Sequence, residues 1–159
     1  MTCQNMSPEW TFLADTVMGG RSEGRIDAVT DGGNLATRLT GRVSLENNGG
    51  FIQMASDLGG GGRPFDASGF TGVAFDARGN GESYQVGLRT TDLTRPWQSY
   101  RTSFDARKEW QRINLPFDVF EPNRTEAPFN PARLRRIGIL AIGREFDADV
   151  MIANLCLLR

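Results

Sequence analysis

Hydrophobic and polar side chains alternate along the middle of the chain, which is the pattern of strands with one buried face. Val73, Phe75 and Ala77 alternate with small or charged residues, and the same period of two recurs in residues 84–89 and 99–104. Side chains two positions apart lie on the same face of a strand. Each of these segments therefore predicts a half-buried strand.

Turn signals separate the predicted strands. The Gly-Asn-Gly of residues 79–81 predicts a hairpin, because Asn-Gly accepts the positive φ of a type I′ turn. The Glu-Asn-Asn-Gly-Gly of residues 46–50 predicts a second turn, between short strands at 41–45 and 51–55. The 19 glycines of the chain agree with frequent tight turns and many short strands.

Towards the carboxyl end, the alternation gives way to continuous apolar runs. Residues 137–142 and 150–158 are apolar nearly throughout, as expected for strands in the middle of a sandwich. Asn130 followed by Pro131 predicts a single helical turn capped by the asparagine. No segment has the sustained 3.6-residue period of a long helix, so the pattern predicts an all-β fold.

Length and composition indicate one folded domain. The chain has 159 residues, of which 39% are hydrophobic and 23% charged, so residues 1–159 can bury a single core. Eight or nine short strands with glycine-rich turns predict a sandwich or barrel, and the jelly roll is the commonest form of that size. We expect residues 1–8 to be loosely ordered.

Charge and residue content exclude several classes of function. The net charge is −1, which gives no overall field to collect nucleic acid or anionic lipid, and the chain has no histidine. Ser-His-Asp, Cys-His and His-zinc sites are therefore excluded. Asp147 and Asp149 suggest a calcium loop, with ordinary turn acids as the alternative. The sequence predicts a protein that is not an enzyme and needs no cofactor or metal.

The ends of the chain bear on its location. Cys3 and Cys156 would be bridged if the terminal strands pair; the alternative is a buried thiol at Cys156 and a loose one at Cys3. No basic segment followed by an apolar run opens the chain, so we expect no secretory signal. No stretch approaches the roughly 20 apolar residues of a membrane helix. These observations predict a cytoplasmic protein.

Two motifs go beyond periodicity. The first joins Trp10 to the Asp-Thr-Val-Met-Gly-Gly-Arg-Ser of residues 15–22, and the second is the Gly-Arg-Val-Ser-Leu-Glu-Asn-Asn-Gly-Gly-Phe of residues 41–51. Residues 78–81 and the Trp-Gln-Arg-Ile-Asn-Leu-Pro-Phe of residues 110–117 follow in order. Together these motifs resemble the complex I intermediate-associated protein family, whose mitochondrial member is a thirty-kilodalton assembly factor.

The resemblance implies a galactose-binding-domain-like jelly roll without known catalysis. The mitochondrial family member helps to assemble respiratory complex I by binding partner proteins, so a respiratory-complex subunit or assembly intermediate is the implied partner. This chain departs from the family pattern at residues 146–149, where a glycine-containing turn is usual. The absence of a targeting segment favours a bacterial member.

The first motif carries the least ordinary local chemistry. Its two glycines allow the backbone to present consecutive amides, and neighbouring side chains add donors, so the loop could hold an oxygen-rich ligand or a partner backbone. The alternative is a turn in which Asp15 and Ser22 bond to local amides. The candidate binding residues of this motif are Asp15, Met18, Gly19, Gly20, Arg21 and Ser22.

Amide and aromatic side chains give further candidates. Asn47 and Asn48 offer donors and acceptors for sugars or peptide, with a loop that needs positive φ as the alternative. Trp97 follows Pro96 in a polar loop and is the best candidate for an exposed aromatic ring.

The polar face of the central strands carries the last candidates. It includes Gln85, Arg89 and Arg101, and the two arginines share one face if their strands are neighbours. Such like charges favour a bound anion or carboxylate, and solvated arginines are the alternative. The sequence thus favours a protein-binding module for assembly or scaffolding. A carbohydrate-binding module that uses the concave sheet face and loops is the alternative.

Overall fold

The structure is a computed structural model that describes residues 3–159, apart from the side chains of Met18 and Asn48. Within this range the chain forms twelve strands, more than the eight or nine predicted. They are β1 (Cys3–Asn5), β2 (Thr11–Ala14), β3 (Glu23–Asp31), β4 (Asn34–Val43), β5 (Phe51–Asp57), β6 (Gly72–Gly79), β7 (Ser83–Thr90), β8 (Ser99–Asp105), β9 (Gln111–Pro116), β10 (Glu121–Asn123), β11 (Leu134–Ile142) and β12 (Phe146–Leu158).

The strands form two antiparallel sheets. The first sheet has the order β3-β4-β12-β6-β9, with β1 added beside β12, and the second has the order β10-β8-β7-β11-β5-β2. The two sheets enclose one continuous hydrophobic cluster, in which the rings of Phe75 and Phe104 meet edge to face at 5.1 Å between centroids. This arrangement confirms the predicted all-β sandwich.

The two continuous apolar runs lie in interior strands, as predicted. β11 pairs with β7 on one side and β5 on the other, and β12 pairs with both β4 and β6. Strands with neighbours on both sides and a packed inner face need little polar surface. The helical turn at Pro131–Arg133 is also present, and the Asn130 side chain accepts a hydrogen bond from the Ala132 amide at 3.0 Å.

The predicted hairpin at residues 79–81 is wrong. β6 belongs to the first sheet and β7 to the second, so this turn crosses between the sheets. Asn80 stabilises the corner, because its amide donates to the Asp147 carbonyl and its oxygen accepts from the Tyr84 hydroxyl at 2.7 Å. The apolar faces of both sheets pack against the same core, so strands of either sheet show the same alternation. Alternation alone therefore does not distinguish a hairpin within one sheet from a turn that crosses between the sheets.

The turn at residues 46–50 also joins the two sheets, since β4 lies in the first and β5 in the second. Asn47 adopts a φ of 56°, so the positive φ considered for this loop is present. Asparagine tolerates this left-handed conformation better than most residues.

A short strand lies near the start of the described residues, and the loose order expected for residues 1–8 stays a prediction. Cys3–Asn5 forms β1, which pairs with the last residues of β12, and the Met6 amide donates to the Leu155 carbonyl. β12 continues beyond the end of its pairing with β4. β1 pairs with the part of the β12 edge that β4 leaves free. Cys3 and Cys156 form a disulfide with a Cα–Cα distance of 5.6 Å, so of the two open alternatives the bridge is found.

Tyr84 provides a test of the inter-sheet corner. Burial raises the pKa of Tyr84 to about 12, and its hydroxyl also accepts from the Asp149 amide at 2.8 Å. An unfolded tyrosine ionises near pH 10, so this contribution to stability is complete below pH 10 and is lost as the pH rises towards 12. We expect Tyr84→Phe to lower the free energy of unfolding at pH 7 by about 1–2 kcal/mol.

Urea denaturation between pH 7 and pH 12 measures both effects. The free energy of unfolding of Tyr84→Phe is expected to fall less steeply above pH 10 than that of the wild type. Equal slopes for the two proteins would show that Tyr84 is not held in its neutral form by the fold.

Candidate functional site

Asp15 joins the two sequence motifs from inside the protein. It is fully buried, and its carboxylate accepts hydrogen bonds from the Ser22 amide at 2.9 Å and the Ser22 hydroxyl at 2.6 Å, both within the first motif. The amides of Gly50 and Phe51, in the second motif, donate to the same carboxylate. Burial alone would raise the pKa of Asp15, but these hydrogen bonds outweigh it and hold the pKa below its ordinary value.

Two glycines make this contact possible. A Cβ on Gly20 or Gly49 would collide with the Asp15 side chain, so each motif needs a residue without a side chain where it meets the carboxylate. Asp15 accepts from the Ser22 amide of its own motif and from the distant amides of Gly50 and Phe51, and Ser22 Oγ accepts from the Ser44 amide. Both side chains are used within the protein, so neither is directed to an external ligand.

The remaining residues of the two motifs lie at the surface. Arg21 is exposed and its Nε lies 4.0 Å from Glu46 Oε2, while Asn47 is exposed beside it in sequence. Gly19 has a φ of 84° and ends the short 3-10 turn Asp15–Met18. The side chains of the candidates Met18 and Asn48 lie outside the described residues. Binding by these loops stays a prediction.

The outer face of the second sheet holds a depression of about 370 Å³, which we call the arginine depression. Its position is set by β2, β5, β7, β8 and β11 together with the loop that joins β7 to β8. Its polar lining is formed by Gln53, Arg89, Thr94, Gln98, Ser99, Arg101, Arg135 and Arg136.

The depression brings together two predicted residues and several that sequence reasoning missed. β7 and β8 are neighbours, with Gly87 opposite Arg101, so Arg89 and Arg101 share one face as expected. Arg89 also lies opposite Arg136 of β11. A bulge between Leu134 and Arg136 allows the adjacent Arg135 to line the same depression. The available signal was the pair of consecutive arginines directly before the apolar run of residues 137–142.

Arg89 is held firmly by the neighbouring loop. Its Nη1 donates to the carbonyls of Arg95, Pro96 and Gln98 at 2.9, 3.0 and 2.6 Å. Burial lowers the pKa of Arg89, and the positive charges of Arg135 and Arg136 lower it further. Burial is the larger of these two causes, and the two neighbouring guanidinium groups are the smaller one.

Arg101 lines the depression from the neighbouring strand β8. Its Nε donates to Ser99 Oγ at 2.8 Å, and burial, followed by the charge of Arg124, lowers its pKa. Arg101 also borders a second depression, which contains the candidate Gln85. Trp97 is 52% exposed, which agrees with its prediction as an exposed ring, but it does not line the arginine depression.

No metal-binding cluster accompanies these sites in the described part of the chain. Among residues 3–159, no group of three or more Cys, Asp or Glu side chains could hold a metal ion, and Asp147 and Asp149 instead form ion pairs with Arg42 and Arg38. Within the same residues, no helix is long and apolar enough to cross a membrane.

Comparison with known proteins gives a family and a fold. Residues 2–151 match the family described as Complex I intermediate-associated protein 30 (CIA30), which is nearly the whole chain. No curated protein matches the chain significantly.

Several solved structures with the same fold are carbohydrate-binding modules. A family 11 module from Clostridium thermocellum, in complex with a β-1,3-1,4-mixed-linked tetrasaccharide, has a TM-score of 0.76 and 13% identity over 98% of this chain and 95% of the module. A family 30 module of a cellulosomal cellulase from Clostridium thermocellum has a TM-score of 0.71 and 17% identity, over 99% of this chain and 97% of that one. At these identities the likeness concerns the fold alone, and it confirms the predicted galactose-binding-like jelly roll.

Proposed function

Because the chain belongs to the complex I intermediate-associated protein 30 family, we propose that it is a non-catalytic module that binds a partner protein during assembly of a respiratory complex. The family match over residues 2–151 is the observation that carries this proposal. The partner would be a subunit or an assembly intermediate of that complex.

The chemistry of the chain supports a binding role. It has no histidine, and the buried carboxylate of Asp15 is occupied by hydrogen bonds from its own chain. The arginine depression, in contrast, presents charged and polar groups on an open sheet face. Such an open face is suited to the recognition of another molecule. Most chemical steps instead need a site that excludes water.

Gene deletion in the native cells tests the proposed function. We expect loss of the protein to reduce fully assembled respiratory complex I severalfold on native gels and to leave subcomplexes behind. The tagged protein is expected to copurify with subunits of those subcomplexes, and re-expression of the wild type should restore assembly. Normal amounts of complex I in the deletion strain would falsify the proposal.

A carbohydrate ligand is our second proposal. The amide of Gln53 and the hydroxyl of Ser99 line the depression beside guanidinium groups, and such groups can bind sugar hydroxyls. None of the described residues that line it is aromatic, however, so a stacking surface for a sugar ring is missing there. The lining therefore favours a protein partner. Saturable binding of the mixed-linked tetrasaccharide would instead favour the carbohydrate ligand over the protein partner.

The location of the protein stays a proposal as well. We propose the cytoplasm, but the Cys3–Cys156 disulfide is a bond that persists mainly in oxidising compartments. Alkylation of thiols in intact cells, followed by mass spectrometry, distinguishes the cytoplasm from an oxidising compartment. Only reduced Cys3 and Cys156 would be labelled.

A further inference from the structure

The arginine depression has a gap in its layer of side chains. Gly87 of β7 lies directly opposite Gly138 of β11, and both lie opposite a residue of the next strand, Arg101 and Ala55 respectively. Neither glycine has a positive φ, so backbone conformation does not require glycine at either position. Both glycines are buried, and the pair forms a floor without side chains at the base of the depression, between walls of longer side chains.

Most of the positive charge around this floor is not paired with acidic side chains of the protein. Within residues 3–159, Arg89, Arg101 and Arg135 form no ion pair with an acidic side chain, and Arg136 lies 3.8 Å from Asp57. The Nε atoms of Arg135 and Arg136 are buried without a hydrogen-bond partner among these residues. The chain as a whole has a net charge of −1, so the positive charge is a local feature and not a general one.

Two of these guanidinium groups are already oriented. Nη1 of Arg89 is fixed by three carbonyls, and Nε of Arg101 is fixed by Ser99. A planar guanidinium held in this way binds a carboxylate with little further loss of side-chain freedom. Arg89 and Arg136 stand opposite each other, and like charges in that position are unfavourable unless an anion lies between them.

From this geometry we propose that the arginine depression binds a short acidic segment of the partner protein, whose carboxylates pair with Arg89, Arg101 and Arg136. The inference rests on the proposed function and adds the chemistry of the partner. A depression of about 370 Å³ accommodates a few residues at most. The lack of an aromatic ring in its lining favours a peptide over a sugar.

Fluorescence anisotropy with two labelled peptides tests the site directly. The first probe is Ser-Asp-Glu-Asp-Glu-Ser, and the second replaces each acid by its amide. We expect the acidic peptide to bind at least tenfold more tightly than the amide peptide, with an affinity that falls as salt is added. Arg101→Gln is expected to weaken acidic-peptide binding about tenfold or more, because a charge-assisted hydrogen bond is lost.

Two further variants separate the site from general electrostatics. Gly87→Leu fills the floor without removing charge, and we expect it to weaken binding as strongly as Arg101→Gln. Arg107→Gln is the matched control, because Arg107 is exposed and forms no ion pair within residues 3–159. Circular dichroism confirms that each variant is folded. Equal affinity for the two peptides, or equal loss in Arg107→Gln, overturns the proposal.

A sugar outcome is also informative. If trigalacturonate binds more tightly than the acidic peptide and Arg101→Gln abolishes that binding, the site is an anionic-glycan site and the peptide assignment is wrong. In cells, we expect Arg101→Gln to fail to restore complex I assembly in the deletion strain. Full restoration by Arg101→Gln would overturn this site alone, whereas an unaffected deletion strain would overturn the proposed function itself.

Discussion

Reduction of the Cys3–Cys156 disulfide is expected to lower the free energy of unfolding by about 3–5 kcal/mol. The bond joins residues 153 positions apart, so it removes much of the freedom of the unfolded chain. It also holds β1, which is attached by only three residue pairs, against the end of β12. Urea denaturation with and without a reductant measures the change.

Cys3→Ser provides the matched control. Cys3 is half-buried, whereas Cys156 is fully buried beneath Arg112 beside Ala74 and Leu158, so substitution of Cys3 disturbs the packing less. We expect the unfolding midpoint of Cys3→Ser to match that of the reduced wild type and to be insensitive to reductant. A wild-type midpoint that does not move on reduction would show that the bridge contributes nothing to stability.

The strands that could be predicted are those whose pattern is local. Alternation in β6, β7 and β8 follows from one packed face, and the apolar runs of β11 and β12 follow from pairing on both sides. The cap at Asn130 was predictable for the same reason, since a side chain and an amide two residues later suffice to form it.

The strands that were missed are at sheet edges or are very short. β3 forms one edge of the first sheet and contains no buried residue, so its sequence lacks the alternation that would reveal it. β10 has three residues, and β1 depends on the exposed end of β12. The period of two also could not show which turns cross between sheets, because both sheets face the same core.

Some residues of the candidate site could likewise be predicted from local sequence, and others could not. The polar face with Arg89 and Arg101 could be predicted from alternation once β7 and β8 are neighbours. Arg136 could not, because it reaches that face by pairing with Arg89 of β7, which lies 47 positions earlier in the chain. The buried position of Asp15 depends on Gly50, another distant residue, so its sequence neighbours alone left the binding interpretation open.

Substitution of Asp15 by alanine is expected to destabilise the protein by about 4 kcal/mol, because it leaves buried amides of both motifs without an acceptor. Asp15→Asn is expected to rescue little, since its NH₂ group would face amide donors. The low pKa of Asp15 means that its contribution is present above the unfolded pKa of about 3.9 and is lost as the pH falls through the folded value.

Urea denaturation at pH 7 and at successively lower pH values tests both the loss of stability in Asp15→Ala and its dependence on pH. Asp105→Ala is the control. Asp105 is exposed in β8 and forms no ion pair within residues 3–159, so its loss should change stability by less than about 0.5 kcal/mol.

If Asp15→Ala does not fold, Ser22→Ala gives a graded test, because it removes the hydroxyl that donates to Asp15 at 2.6 Å and leaves the carboxylate in place. We expect Ser22→Ala to lose about 1–2 kcal/mol. Stability of Ser22→Ala equal to that of Asp105→Ala would contradict the structural role of Asp15, because a carboxylate that joins the two motifs cannot lose a buried donor without effect.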